Sequence, residues 1–525
     1  MADLIDAPCH DGVLRAGACP EAEVPPSAPW VLAVAVGGSG LAFLVGSVVN
    51  VALPALQRDL GASVAEVQWV LNAYLLALGA LILVGGAAGD RLGRRRVFVA
   101  GLVGFTVASL ACGLAPTTGW LVAARAAQGV AAAFLVPTSL ALVSAVYPKG
   151  EARGRAIGTW AGFSALTTAL GPVAGGWLVD AFSWRWVFFL VLPPALLTLG
   201  LALWRVPASR PEAADGPLDL PGAALAASGF GVAVYGLVAA GESGWGDPVV
   251  LGCVAGGLAL LGAFVWRQAR AEAPMMPLDL FRSRAFSGAN GMTLLLYFAL
   301  NGVLFFLPFN LIQVQGYSAA AAGAAFLPFS LAMGGLSRWS GGWAERWGAR
   351  RLLVAGPLVT AVGFALLALP GVGGSYWTTF FPPMLVLGVG MTLAVAPLTN
   401  TVMSAVDDAH AGTASGVNNA AARIAALLAV AVFGVVALGT FNAALDDRLG
   451  AEDASPRTEA ALEPFRTNLT GAEVPASLSE AERRVVERVV GAAFVEAFRW
   501  TAGLATLAAV LSALVAGTTI RPDET

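Results

Sequence analysis

The chain has little charge: Asp, Glu, Lys and Arg make up 12% of its 525 residues, against roughly 25% in a soluble globular protein. With 57% hydrophobic residues and 63 glycines, polar surface is too scarce to coat a globule of this length, which excludes a water-soluble protein. Lysine is almost missing: Lys149 stands beside 29 arginines, and no basic domain or tail offers a nucleic acid a surface to bind. The two histidines, His10 and His410, and four scattered cysteines, Cys9, Cys19, Cys112 and Cys253, give no metal-ligand spacing and no disulfide framework. A Ser/His/Asp set and a Walker loop are also lacking, so neither an enzyme nor an ATP-driven pump is expected, and no cofactor or metal.

What is present is apolar length. A helix crosses the roughly 30 Å hydrocarbon layer in about 20 residues. Ten stretches free of Asp, Glu, Lys and Arg supply one span each: 24–57, 67–89, 97–124, 126–148, 156–179, 186–204, 220–241, 248–266, 424–445 and 500–520. Two longer ones, 285–337 and 352–406, break at Gln313 to Ser318 and at Pro370 to Ser375 and supply two each, for 14 spans. Basic residues gather in the short loops on the side of the N-terminus, among them Arg91, Arg94, Arg95, Arg96, Arg346, Arg350 and Arg351. The opposite short loops hold only Arg58 and Arg185, so both termini are expected in the cytoplasm. The acidic tail 1–29 lacks the basic start of a signal peptide and is expected to be disordered. Between the last two spans, 441–495 forms an external segment. Ser479 with Glu482 is a capping-box pattern, and Val485, Val486, Val489 and Val490 follow at helical spacing, which predicts an amphipathic helix entering the last span.

The chain repeats itself at an offset of 255. Gly86 to Gly101 reads GAAGDRLGRRRVFVAG and Gly341 to Gly356 reads GGWAERWGARRLLVAG, identical at eight of sixteen positions, with Glu345 answering Asp90. The order is kept, so the halves are parallel, and the offset leaves room for two extra spans at Leu220 to Trp266. The expectation is an all-α membrane protein with 14 transmembrane helices, two parallel six-helix halves plus two inserted helices. Its divisions are the tail 1–29, a half at 30–204, the inserted pair and its flanks at 205–287, a half at 288–520 and a tail at 521–525. Such a layout is that of a secondary transporter with its substrate site between the halves.

Four motifs carry a family resemblance. Gly89-Asp90-Arg91-Leu92-Gly93-Arg94-Arg95 fills the loop between spans 2 and 3, Arg125-Ala-Ala-Gln128-Gly129 lies in span 4, and Gly171-Pro172-x-x-Gly175-Gly176 in span 5. Val49-Asn50-Val51-Ala52-Leu53-Pro54 closes span 1. In these the chain resembles the 14-helix drug:proton antiporter branch (EmrB/QacA-type) of the major facilitator superfamily. The resemblance implies a cell-membrane exporter of small lipophilic or amphiphilic compounds, by alternating access, with protons as the coupling partner. An exchanger or uniporter of an organic anion, or a non-transporting sensor or scaffold on the same fold, are the alternatives.

Each motif has a physical reading. Asp90, Arg91, Gly93 and Arg95, with Glu345 and Arg346 in the repeat, suit a conformational switch in which an acid breaks and remakes contacts; a plain topology signal is the other reading. Arg125 lies in the apolar layer, where an unpaired charge is functional by default, with Gln128 beside it. Arg423, about three turns into span 13, follows the same logic or snorkels to the edge. Gly171, Pro172, Gly175 and Gly176 allow close packing of span 5, and the link to antiport comes from the resemblance.

The chain departs from the family where a membrane-embedded Asp is usual five residues before Asn50, because Val45 stands there. Glu66, Asp180 and Glu496, at the edges of spans 2, 5 and 14, are the remaining candidate proton carriers, each with a structural reading beside it. Without the Asp, Arg125 is expected either to bond to Gln128 and backbone carbonyls or to meet an anionic substrate. The substrate cavity is expected to draw on Asn290, Tyr297 and Asn301, one face of span 9, and on Asn50, Trp69, Asn72, Tyr74, Asn418 and Asn419. Interhelical hydrogen bonding is the competing role for each Asn.

Overall fold

The computed structural model describes residues 24–147, 151–207, 219–272, 274, 276–406, 411–451, 456–471, 474–475 and 478–520. Most of the tail expected to be disordered, His10, His410, Lys149 and 521–525 lie outside these residues. The described backbone is helical throughout, without a strand. Lipid dictates this, since a spanning segment must satisfy every backbone N–H and C=O internally.

The long helices are α1 (Ala28–Leu60), α2 (Val64–Leu92), α3 (Arg94–Gly113), α4 (Thr118–Val146), α5 (Glu151–Ala181), α6 (Trp186–Arg205), α7 (Leu220–Ser243) and α8 (Pro248–Gln268). They continue as α9 (Arg284–Val314), α10 (Ala319–Leu336), α11 (Ala349–Leu367), α12 (Phe381–Ser404), α13 (Ala411–Ala451) and α14 (Glu480–Thr519). Among the described residues, 13 helices are long and apolar enough to cross a membrane. The 31-residue α5 stands beside them in the stretch assigned to span 5.

The breaks expected within the two longest apolar stretches fall where the polar segments lie. The π-helical turn Asn310–Val314 ends α9 before Ser318 caps α10, and α11 stops at Leu367 before the short helix Tyr376–Thr379. Two boundaries move. Arg125 delimits the third and fourth charge-free stretches, yet the turn lies at Leu114 to Thr117 and Arg125 is inside α4. Arg423 likewise lies inside α13, which begins at Ala411. An intramembrane cation reads as a boundary in a charge count, whereas the continuous backbone ladder places both arginines inside their spans, as the motif in span 4 and the reading of span 13 implied.

Side-chain caps fix several ends. Ser63 and Glu66 form a reciprocal capping box at α2, and Ser479 with Glu482 forms one at α14, where Val486, Val489 and Val490 are buried as the spacing implied. Asp219 caps α7 and ties the inserted pair together, accepting from Gly222 N at 2.9 Å, Arg267 Nε at 2.8 Å and Gln268 Nε2 at 2.6 Å. Burial pushes the Asp219 carboxyl upward, but these donors outweigh it and hold the pKa below the ordinary carboxylate value. The helix α7 then packs on α2 and on α13, so the inserted pair touches both halves.

Candidate translocation site

The end of the bundle at which α1 begins and α14 ends is the proximal end, and the opposite end the distal. At the distal end the halves close on each other. The backbones of α5 and α10 approach so nearly that a Cβ on Gly176 would lie 2.1 Å from the Ala319 carbonyl oxygen, and one on Gly323 2.0 Å from that of Pro172. Gly171 and Gly175 are pressed against Ser47 and Val48 of α1 in the same way. Small residues permit this contact and any larger one forbids it. Asp180 completes the closure: its carboxylate accepts the Ala319 N–H at 3.0 Å and the Ala320 N–H at 2.7 Å, capping the start of α10 from the other half.

The segment after α13 lies over this end. Gln57 of α1 donates through Nε2 to the Asn468 carbonyl at 3.0 Å, and Thr470 donates to Gln313 of α9. Leu469, at positive φ, is buried, so the segment joins both halves. Farther in, Gln68 of α2 lies against Gly434 of α13. Gln68 Nε2 and both polar atoms of Asn72 are buried without a protein hydrogen-bond partner. Such groups carry a desolvation cost of about 1–3 kcal/mol each.

Arg125 is fully buried, 0% exposed, and is held wholly within its own half. Its Nε donates to the Val70 carbonyl at 2.9 Å and a terminal nitrogen donates to Gln128 Oε1 at 2.6 Å. Gln128 Nε2 passes the chain on to Ser109 Oγ at 2.7 Å, which donates to the Phe105 carbonyl. The guanidinium carbon lies 4.3 Å from the centre of the Tyr74 ring, whose hydroxyl donates to the Ala42 carbonyl of α1. Of the two roles open to Arg125, this arrangement is the internal one: Gln128 and a backbone carbonyl take its donors. Val45 is also fully buried, three residues beyond Ala42.

The other expected cavity residues are distributed as follows. Tyr297, Asn418 and Asn419 line a polar cavity of about 160 Å³ between α9, α12 and α13. Asn290 lines a second, larger one of about 310 Å³ with Arg423. Asn418 donates to Thr293 Oγ1 at 2.7 Å and Asn301 to the Tyr297 carbonyl at 2.8 Å, so both amides also bond within their half. Trp69 packs on Tyr235 of α7 with ring centres 6.4 Å apart. Asn50 is half-buried on α1. Of the edge acids, Glu66 is spent on its capping box, Asp180 on α10, and Glu496 pairs with Arg499 at 3.6 Å.

At the proximal end the repeated loops adopt the same turn, with φ of 96° at Gly93 and 84° at Gly348, values that only glycine takes without strain. Arg95 donates to the carbonyls of Ala202 and Leu203. The side chains of Asp90 and Glu345, the acids of the expected switch, lie outside those the structure describes. Arg91 is half-buried and Arg346 exposed. No group of His, Cys, Asp and Glu able to hold a metal occurs among the described residues.

Comparison with known proteins agrees with this architecture. The sequence pattern of the Major Facilitator Superfamily matches residues 35–430. The chain is 38% identical over 421 residues to the puromycin resistance protein of Streptomyces alboniger, covering 80% of this chain and 83% of that one. It is 34% identical over 505 residues to the tetracenomycin C resistance and export protein of Streptomyces glaucescens, covering 94% and 93%. Against the multidrug resistance protein Stp of Mycobacterium tuberculosis it is 36% identical over 415 residues, covering 78% and 76%. In fold it resembles a bacterial homolog of the human lysosomal transporter Spinster, solved inward-facing and unoccupied, with a TM-score of 0.69 at 16% identity over 95% of this chain and 98% of that one. Family pattern, near full-length relatives and fold agree, and the chain belongs to the Major Facilitator Superfamily.

Proposed function

We propose that this protein exports small lipophilic or amphiphilic compounds across the cytoplasmic membrane by alternating access, with 14 spans and both termini in the cytoplasm. The observation that carries the reading is the near full-length match to a resistance and export protein. The distal closure supports it. With basic proximal loops inside, the halves described here meet at the outer end, where Gly176, Gly323 and Asp180 make the contact. Opening that end would expose Gln68 and Asn72 to water and relieve their unpaired state, which lowers the cost of the second conformation. The motif loops serve as proximal hinges in this scheme, with Asp90 and Glu345 as their acidic members.

Proton coupling is the finer question. Val45 occupies the position where relatives are expected to hold an acid, Glu66 and Asp180 are engaged at helix ends, and Glu496 pairs with Arg499 within α14. The reading therefore assigns no dedicated interior carboxylate. The test is uptake of a lipophilic dye into inverted vesicles holding purified protein, with and without a pH gradient. Dye flux above that of empty vesicles is expected; its absence across chemically varied dyes would sink the exporter reading.

A further inference from the structure

The cavity of about 310 Å³ lies between the inserted pair and helices of both halves. The inserted pair forms one wall, with Ala226 and Phe230 on α7 and Phe264 on α8. Leu75 to Ala80 of α2, the start of α9 and the first half of α13 close it. At about 310 Å³ it is the size of a small drug-like ligand site. Its lining is apolar except for Ser287, Asn290 and Arg423.

Arg423 is the unexplained member. It is partly buried in the middle of the bundle, with its Cβ where a substituent on Gly79 would touch it. Its guanidinium carbon lies 5.9 Å from the centre of the Phe43 ring on α1. Among the described residues it has no ion pair and no hydrogen bond, whereas Arg125 donates to the Val70 carbonyl and to Gln128. A cation in the apolar layer without a counter-ion is costly, and it is retained where something negative visits. Aromatic faces alone offset only part of that cost.

From this we infer that the exported compounds include anionic amphiphiles, whose carboxylate or sulfonate meets Arg423 while the apolar body lies against Phe230, Phe264 and Leu294. The inserted helices are then a wall of the substrate site. The inference rests on the exporter reading for transport, but binding tests it separately. The charge argument selects an anion and the apolar walls select a long or aromatic body; a small hydrophilic anion gains nothing from Phe230 and Phe264.

The experiment uses the whole protein in phosphatidylcholine nanodiscs and a dansyl-tagged undecanoic acid beside its methyl ester. The wild type is expected to bind the acid about tenfold or more tightly than the ester, as a charge-assisted contact requires. Arg423→Gln is expected to bring the ratio near one, Arg423→Lys to restore most of it, and Ala226→Trp, which fills the cavity from α7, to weaken both ligands. Equal affinities in the wild type, or an unchanged ratio in Arg423→Gln with an unchanged melting temperature, would overturn the inference. Adding phosphatidylglycerol distinguishes a resident lipid: if it displaces the acid and wild-type vesicles move only the ester, the site belongs to lipid and the inference fails. If neutral dye is exported while the acid shows no preference, the exporter reading stands and this one falls. If the acid binds selectively yet no compound is transported, the site stands and the exporter reading falls.

Discussion

Arg95 and Arg350, 255 residues apart, make the same contact in the two halves. Arg95 donates to the carbonyls of Ala202 and Leu203 at the end of α6, and Arg350 to that of Gly517 near the end of α14, at 2.6 Å. Each guanidinium follows a positive-φ glycine by two residues, Gly93 or Gly348, and sits where a helix leaves its last carbonyls unpaired and its dipole negative. The repeat is thus a repeat of a helix-end cap joining the third helix of each half to its sixth.

Replacing either arginine by alanine is expected to cost about 1.5–3 kcal/mol, the range for a hydrogen bond to a charged group. The two caps share no partner, so the double variant is expected to lose nearly the sum. Unfolding of the purified variants in detergent checks this; a double variant no less stable than either single one would contradict it.

A second expectation concerns Val45→Asp. Tyr74 ties α1 to the ring beneath Arg125 through the Ala42 carbonyl, and Val45 is on the same face one turn on. A carboxylate there gains the Arg125 charge as a partner and becomes the titratable group the wild type lacks. Flux in the wild type is expected to change little with an imposed pH gradient, and flux in the variant to depend on it. Strong gradient dependence in the wild type would instead point to an edge acid as carrier.

The distal closure is steric and can be blocked. At Gly176→Leu or Gly323→Leu the new Cβ would lie within about 2 Å of a backbone oxygen on the partner helix, so the ends cannot meet. A cysteine placed at Ser318 is expected to react faster with an impermeant external thiol reagent in these variants, and dye export to be lost. Asp180→Asn, which keeps the shape and removes the charge from the α10 cap, is expected to show the same change more weakly.

Asp219 gives a pH dependence whose sign follows from its lowered pKa. A carboxyl held below its unfolded value stabilises the fold fully above that value, about 3.9. The contribution is lost as pH falls through the folded value. Asp219→Asn is expected to lower the melting temperature at pH 7 and to flatten its decline below about pH 4, measured against the wild type.

The sequence by itself determined the solvent, the helical class, the parallel repeat and the family, because each rests on a signal that survives in one dimension: apolar length, self-similarity at a fixed offset, or motifs such as Gly89 to Arg95. It also marked Arg125 and Arg423 as exceptional, since a charge in an apolar run needs no partner to be noticed. Which of the two was bonded could not be read there. Arg125 finds Val70 and Gln128, and through Gln128 reaches Ser109 on a third helix, while Arg423 lies over the Phe43 ring and lines a cavity, and only helix packing decides which groups converge. The same holds for Trp69, placed among the cavity residues by its type yet packed on Tyr235, and for Asp180, an edge acid whose partners lie some 140 residues away in the other half. Periodicity gives a residue its face on its own helix; the neighbour that meets that face is chosen by the tertiary structure.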